Sequence, residues 1–280
     1  MLTVAILMTS YNRREKTLAC LDSCFREVEA MKAQEQYSFS VYLVDDGCTD
    51  GTSEAVEGKY PQVHILKGDG NLFWNQGMRL AWSEAAKEDY DFYLWLNDDT
   101  VLVEGALESI METSQFLRHK VIIAGTAVNP EGEFTYGGRN RYGKIIEPEP
   151  TIPVPCYTFN GNVVLVPKYV YNILGNLEEK YHHTFGDYDY GVRAVKASVQ
   201  RVVAPGTVCV CSRNPGIPKW RDSRYPLKER YAYLLSPKGR PPREQFLFDT
   251  RTRGILWAIG HAVSINFKVL FPSRKGQESV

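Results

Sequence analysis

Apolar β-forming runs alternate with amphipathic helical segments through the first 128 residues, and no other feature restricts the fold of this chain so strongly. VAILMTS (4–10) reads as a buried strand, an unbroken apolar run ending at a polar turn. RREKTLACLDSCFREVEAMKAQ (13–34) follows, with apolar residues at 18, 21, 25 and 28, the spacing of one helix face. A strand at 39–44, a short helix in SEAVEGKY and a strand at 63–68 come next. A helix in NQGMRLAWSEAAKE, a strand in DFYLWLNDDT, a helix in ALESIMETSQFLR and a strand at 121–128 complete the series. Such alternation specifies a doubly wound α/β fold, a mainly parallel sheet flanked by helices and joined by right-handed crossovers. With 280 residues, 44% of them hydrophobic, the chain can build one large core of this kind.

Beyond residue 128 the rhythm breaks. NPEGEFTYGGRNRYGKIIEPEPTIPVP is dominated by Gly, Pro and charge, which predicts a hairpin or loop excursion over the sheet. FNGNVVLVPKYVYNILG reads as strand then helix, GDYDYGVRAVKAS as a short helix with Asp near its start, and VQRVVAPGTVCVC as a late strand. We therefore expect one α/β domain over 1–215 and a basic, partly helical extension over 216–280.

Charge is balanced overall but unevenly spread. Arg213–Val280 holds 14 Lys and Arg against 5 Asp and Glu, whereas residues 1–212 hold 19 against 28. An acidic body suits a metal-dependent site, and a basic tail suits an anionic partner, either a pyrophosphate or a membrane surface. LTVAILM is too short for a secretory signal, and no apolar run is long and clean enough to span a bilayer, so a cytoplasmic enzyme is expected. The six Cys (20, 24, 48, 156, 209, 211) lack metal-finger spacing and read as reduced thiols, Cys20 and Cys24 as packing residues.

In doubly wound sheets ligands bind beyond the carboxyl ends of the strands. Three polar groups fall at such ends: Thr9-Ser10-Tyr11-Asn12, Asp45-Asp46 and Asp98-Asp99. Adjacent carboxylates repel unless a cation neutralises them, and hard divalent ions take carboxylate oxygens. A solvated, capped turn explains an acidic pair equally well. Asp45 and Asp46 can accept hydrogen bonds from a base and a ribose; Asp50 and Thr52 read as turn and capping residues. In FGDYDYGVRA, Asp189 and Arg193 have the spacing of a helical ion pair, which leaves Asp187 to face a cleft and deprotonate a hydroxyl.

Together these motifs, in this order, resemble an inverting, metal-using family 2 glycosyltransferase over roughly residues 3–215. LMTSYNRREKTLACLDS is similar to the family's opening strand and Tyr-Asn turn, and VDDGCTDGT to its Asp-Asp-Gly-Ser-x-Asp-Gly-Thr segment, with Cys48 in place of Ser. LNDDT falls on the Asp-x-Asp metal motif and FGDYDYGVRA on the Glu-Asp-x-Asp…Arg segment. The resemblance implies the GT-A fold, a nucleotide-sugar donor and a Mg2+ or Mn2+ ion. Thr9, Tyr11, Asp45 and Asp46 would hold base and ribose, Asp98 and Asp99 would sit at ribose, diphosphate and metal, and Asp187 would be the base. GDGNLFWNQGMRLA (68–81) resembles the glycine-rich segment of rhamnosyltransferase-like members, which implies Asn71, Trp74 and Arg79 in the donor pocket. Asn97 stands where the first metal-motif Asp is frequent, so Asp99 is the firmer ligand and Asn97 a donor contact. Gly186 replaces the usual Glu beside the base. His182-His183 is either a further metal or phosphate contact or a surface pair.

The implied reaction is transfer of a hexosyl or deoxyhexosyl group from a dTDP- or UDP-sugar, in bacterial O-antigen or capsule synthesis. The acceptor would be a glycan or lipid-linked glycan, and no nucleic acid is expected. Two rival readings are a sugar-nucleotide nucleotidyltransferase, whose Gly-rich phosphate loop MTSYNRRE lacks, and a non-catalytic nucleotide- or carbohydrate-binding module. The segment ILWAIGHAVSINFKVLF (255–271) is an amphipathic helix with His261, Ser264 and Lys268 on one stripe, flanked by Arg251, Arg253, Arg274 and Lys275. It either lies on the inner face of the cell membrane or packs on protein.

Overall fold

The computed structural model describes residues 1–32, 35–213 and 216–272. In chain order the first half comprises β1 (Leu2–Ser10), α1 (Arg14–Lys32), β2 (Tyr37–Asp45), α2 (Thr52–Lys59), β3 (His64–Lys67), α3 (Phe73–Ala85), β4 (Phe92–Leu96), β5 (Val101–Leu102), α4 (Ala106–Phe116), β6 (Val121–Ala124) and β7 (Ala127–Val128). The second half comprises β8 (Phe134–Tyr136), β9 (Gly138–Arg139), β10 (Val154–Pro155), β11 (Thr158–Phe159), β12 (Val163–Pro167), α5 (Lys168–Leu174), α6 (Gly186–Lys196), β13 (Gln200–Val203), β14 (Cys209–Val210), α7 (Leu227–Leu235), α8 (Pro242–Arg253) and α9 (Ile255–Leu270).

Eight strands form the main sheet in the order β10-β13-β6-β12-β4-β1-β2-β3. The pairs β3–β2, β2–β1, β1–β4 and β6–β13 are parallel, while β12 runs antiparallel to both β4 and β6, and β10 antiparallel to β13. The sheet is thus mixed and mainly parallel. Its core divides by strand periodicity, because successive side chains point to opposite faces. Val4, Ile6, Met8, Leu43, Leu94 and Leu96 pack with Leu21 of α1 and Ile110 of α4 on one face. Ala5, Leu7, Val44, Tyr93 and Trp95 pack with Met78 and Trp82 of α3 and Tyr190 of α6 on the other. Fully burying one such large side chain contributes about 1.5–3 kcal/mol. Burial on both faces is why these strands read as unbroken apolar runs.

Two expectations are corrected. The single strand expected at 121–128 breaks at Gly125 into β6 of the main sheet and β7 of a second sheet, order β5-β14-β7-β8. Gly125 has no room for a Cβ, which would overlap Val208 and press on Val163. Likewise VQRVVAPGTVCVC is two strands in different sheets, β13 and β14, parted around Pro205.

The expected border between domains lies at residues outside the described set, and the basic segment beyond it folds onto the body. Phe248 of α8 stacks on Phe185 with ring centroids 4.9 Å apart. Arg251 pairs with Glu178 and with Asp189, which it meets at 3.0 Å. Its charge is therefore spent inward, contrary to the expectation that it faces a membrane. His261 of α9 meets Asp249 of α8 at 2.7 Å. Ala258, Ile265 and Val269 of α9 are buried, the latter two with Trp220 and Leu234. Leu256, Ile259, Val263, Phe267 and Leu270 on its other side are exposed. Arg274 and Lys275 lie outside the described residues. Among the described residues no helix is long and apolar enough to cross a membrane.

Candidate active site

Beyond the carboxyl ends of β1 and β4 lies a cleft of about 760 Å3. Thr9 and Tyr11 from β1 and its turn, Asp46 after β2, Trp74 of α3, and Asn97, Asp98 and Asp99 after β4 all line it. Asp187 of α6 lines it too, so residues from five elements face one space. Parallel strands deliver this convergence, because their carboxyl ends share one rim.

Each carboxylate is held differently. Asp46 accepts the backbone N–H groups of Gly70 at 2.9 Å, Leu72 at 3.1 Å and Phe73 at 2.9 Å, and so folds the glycine-rich segment around one wall of the cleft. Gly68 packs so close to Asp46 that a Cβ would collide with it. Asp98 and Asp99 are bridged by Arg13, whose Nη1 lies 3.1 Å from Asp98 and 2.8 Å from Asp99. Burial pushes the Asp98 carboxyl up to about 6 against the pull of Arg13. Asp187 accepts the N–H of Gly161 at 2.9 Å and of Tyr188 at 2.8 Å. Burial again dominates, and its carboxyl is raised to about 6 despite these donors and the nearby Arg139. A carboxylate so tuned accepts a proton more readily than a free one.

Trp74 links the β4 side of the cleft to the α6 side. Its indole N–H donates to Asn97 at 2.7 Å, and its ring lies over Gly161 and beside Gly186, where any Cβ would meet it. Gly186, where the resemblance leads one to expect Glu, has no space for a side chain: its Cβ would overlap Asn75.

Three expected donor residues do not line the cleft. Asp45 lies buried beneath it, held by Ser53, the N–H of Cys48 at 2.6 Å and Lys67 at 3.0 Å. Burial alone would raise its carboxyl, but these bonds hold it down at about 2. Asn71 is exposed in a local turn, its N–H donating to Asp69. Arg79 turns the other way and donates to the carbonyl of Leu177. With Asn75, which donates to Glu178 and Tyr181 carbonyls at 2.8 and 2.7 Å, and Gln76, which donates to Glu179 at 2.6 Å, it clamps the loop that precedes α6. These residues of α3 set the position of Asp187 from behind.

The paired histidines separate. His182 is tied to Glu244 of α8 at 2.7 Å, while His183 lines the cleft with its buried Nδ1 unpartnered among the described residues. Asp189 and Arg193 form the expected ion pair at 3.0 Å. Cys20 and Cys24 are fully buried in the core. Arg13, Tyr136, Asn160, Tyr188 and Lys238 also line the cleft; Arg13 and Tyr188 lie inside two of the motifs without being singled out, and the other three lie outside them all.

Among the described residues no three His, Cys, Asp or Glu side chains are grouped to hold a metal ion. Asp98 and Asp99 nevertheless offer oxygen donors at one spot, where a guanidinium already satisfies them. That donor set suits a hard divalent ion that completes its shell with phosphate and water oxygens.

Comparison with known proteins agrees with this architecture. The family model described as Glycosyl transferase family 2 matches residues 5–185. The structure of S. aureus TarS 1-349 in complex with UDP-GlcNAc aligns with a TM-score of 0.59 at 13% identity, over 95% of this chain and 81% of that one. A longer S. aureus TarS structure aligns at 0.58 and 12% identity, over 90% of this chain but 43% of that one. The mannosyltransferase PcManGT from Pyrobaculum calidifontis, in complex with GDP-Man and Mn2+, aligns at 0.55 and 14% identity, over 96% and 76%. No curated protein matches the sequence. At these identities the likeness is one of fold.

Proposed function

Because this chain belongs to glycosyl transferase family 2 and has its GT-A architecture, we propose that it moves a sugar from a nucleoside-diphosphate donor to an acceptor hydroxyl with inversion at the anomeric carbon. The observation that carries this reading is the convergence of Asp98, Asp99 and Asp187 on one cleft. The acceptor hydroxyl gives its proton to Asp187 as its oxygen bonds to the anomeric carbon. The bond from that carbon to the diphosphate breaks on the opposite face, and the diphosphate leaves with the electron pair. One displacement with one base inverts the centre. Asp99 and Asp98 would hold a Mg2+ or Mn2+ ion, which supplies positive charge for the departing diphosphate.

Thr9, Tyr11, Asp46, Trp74 and Asn97 form the donor half, where a dTDP- or UDP-sugar would lie. The relatives bound to UDP-GlcNAc and GDP-Man support a nucleotide-sugar donor. Tyr136, Asn160 and Tyr188 line the cleft alongside Asp187, and aromatic faces with amide donors suit a sugar acceptor. A glycan or lipid-linked glycan of a bacterial surface polysaccharide fits this half. The exposed apolar stripe of α9, with Lys268 beside it, supports peripheral attachment to the inner face of the membrane, where such an acceptor is presented.

The test is a nucleotide-release screen over dTDP-, UDP- and GDP-sugars with oligosaccharide acceptors, in Mn2+ and in EDTA, with product analysis by NMR. One donor should turn over in Mn2+ and give an inverted linkage. A retained linkage would exclude single displacement.

A further inference from the structure

We propose that Lys238, carried by the turn between α7 and α8, grips the donor's diphosphate together with Arg13 and His183, so that the C-terminal segment completes the donor site. The proposal rests on the glycosyltransferase reading above. Four acids line the cleft: Asp46, Asp98, Asp99 and Asp187. Its lining cations are Arg13 and Lys238. Arg13 is neutralised by Asp98 and Asp99. Lys238 makes no hydrogen bond or ion pair among the described residues. A diphosphate entering this acidic cleft needs uncommitted positive charge, and Lys238 supplies it.

The turn is built to present that side chain. Gly239 donates its N–H to the Ser236 carbonyl at 2.9 Å, closing a four-residue turn with Pro237 in second place and Lys238 in third. Arg240 donates back to Leu234 at 3.0 Å, which fastens the turn to the end of α7. Gly239 lies against the Tyr233 and Leu234 carbonyls, too close for any Cβ. The third position therefore projects over the cleft from a fixed base, beside Ser236 and Pro237, which also line it.

His183 lines the same cleft as Lys238 and Arg13. Burial first, then the charges of both Lys238 and Arg13, lower its imidazole to about 4. Lys238 and the cation that bridges Asp98 and Asp99 thus bear on the same ring. At neutral pH that ring is uncharged, and its buried Nδ1 has no partner among the described residues. All three side chains line one cleft, so a phosphate held between Lys238 and Arg13 would find that nitrogen as a further partner. An anionic acceptor presents the same phosphate chemistry, but its site is at Asp187 and Tyr188.

The experiment compares full-length protein with Lys238→Gln and Lys238→Arg by calorimetry. The ligands are UDP, GDP and dTDP and their monophosphates, each with Mn2+ and without acceptor. For the diphosphate that wild type binds most tightly, Lys238→Gln should weaken affinity about tenfold or more, the scale of one charge-assisted bond. The matching monophosphate should change less than about twofold, and Lys238→Arg should restore most of the loss. Circular dichroism and thermal unfolding check that the variants are folded, and Lys238→Met, which keeps the aliphatic stem, serves if Lys238→Gln is not. Equal weakening of both nucleotides, or none, overturns the clamp while leaving the transferase reading standing. Failure of wild type to bind any nucleotide overturns both.

Discussion

Asp187 sits under two opposed influences, backbone N–H donors that favour its ionised form and burial that disfavours it, and burial wins. A base must be ionised to accept a proton, and its raised carboxyl titrates at about 6. kcat should therefore be lost as pH falls through about 6 and level off above it, as read from a pH–rate profile at saturating donor. Asp187→Asn keeps the shape and removes the basicity, so kcat should fall roughly 10²–10⁴-fold with nucleotide affinity unchanged in calorimetry. Asp99→Ala should abolish the Mn2+-dependent part of nucleotide binding and leave the unfolding temperature in place, because this side chain sits at the cleft wall and its partners are Arg13 and the weakly donating Cys211 thiol. Full binding of the variant in Mn2+ would refute the metal role. Asp98, Asp99 and Asp187 were legible in the sequence because each lies in a short motif whose neighbours fix its place at a strand end or helix start. Arg13 had a weaker signal, a cation directly after the Tyr-Asn turn. Tyr136, Asn160 and Lys238 had none, since only the folded chain brings their segments to the rim.

At the level of elements, the alternation of apolar runs and helical stripes revealed the sheet, because each strand has two faces to bury. It did not reveal direction. VVLVP in β12 is apolar throughout and packs equally well either way, so its antiparallel insertion between β4 and β6 left no mark on the sequence. Nor did the pattern show that α3 serves two purposes. One side carries Met78 and Trp82 into the core, and Asn75, Gln76 and Arg79 hold the loop that leads to α6. Arg79 looked like a donor ligand because it follows the glycine-rich segment; its partner, the Leu177 carbonyl, is 98 residues away. A comparable pin joins α8 to α6. Asp189 is fully buried and shared by Arg193 and Arg251, and Arg251 also holds Glu178. Arg251→Ala leaves Asp189 one cationic partner, Arg193, beside the Tyr181 hydroxyl, so urea unfolding should show a loss of about 1.5–3 kcal/mol, the range for hydrogen bonds to charged groups. An unchanged midpoint would mean that α8 is held by its other contacts, the Phe185–Phe248 stack and the His182–Glu244 pair among them.

For the molecule as a whole, the acidic body and basic tail anticipated from composition are in contact, and α8 and α9 show how. The inward side of α9 packs on protein, as one reading of its sequence expects, and the outward side is bare. The protein should float with anionic vesicles at low salt and detach as salt rises, each basic group near the surface contributing about 1 kcal/mol. Leu256→Asp with Val263→Asp should abolish flotation without changing nucleotide release on a soluble acceptor. If wild type ignores anionic vesicles at low salt, the bare face has another use. The indole of Trp74 has a different bearing on the assembled protein. It stands between Asn97 and the paired glycines Gly161 and Gly186. The interval from the carboxylate pair to the base is consequently measured by a rigid ring, much as a shim sets the gap of a vice. On the reading proposed above, the spacing that donor and acceptor must share then comes down to the width of one tryptophan.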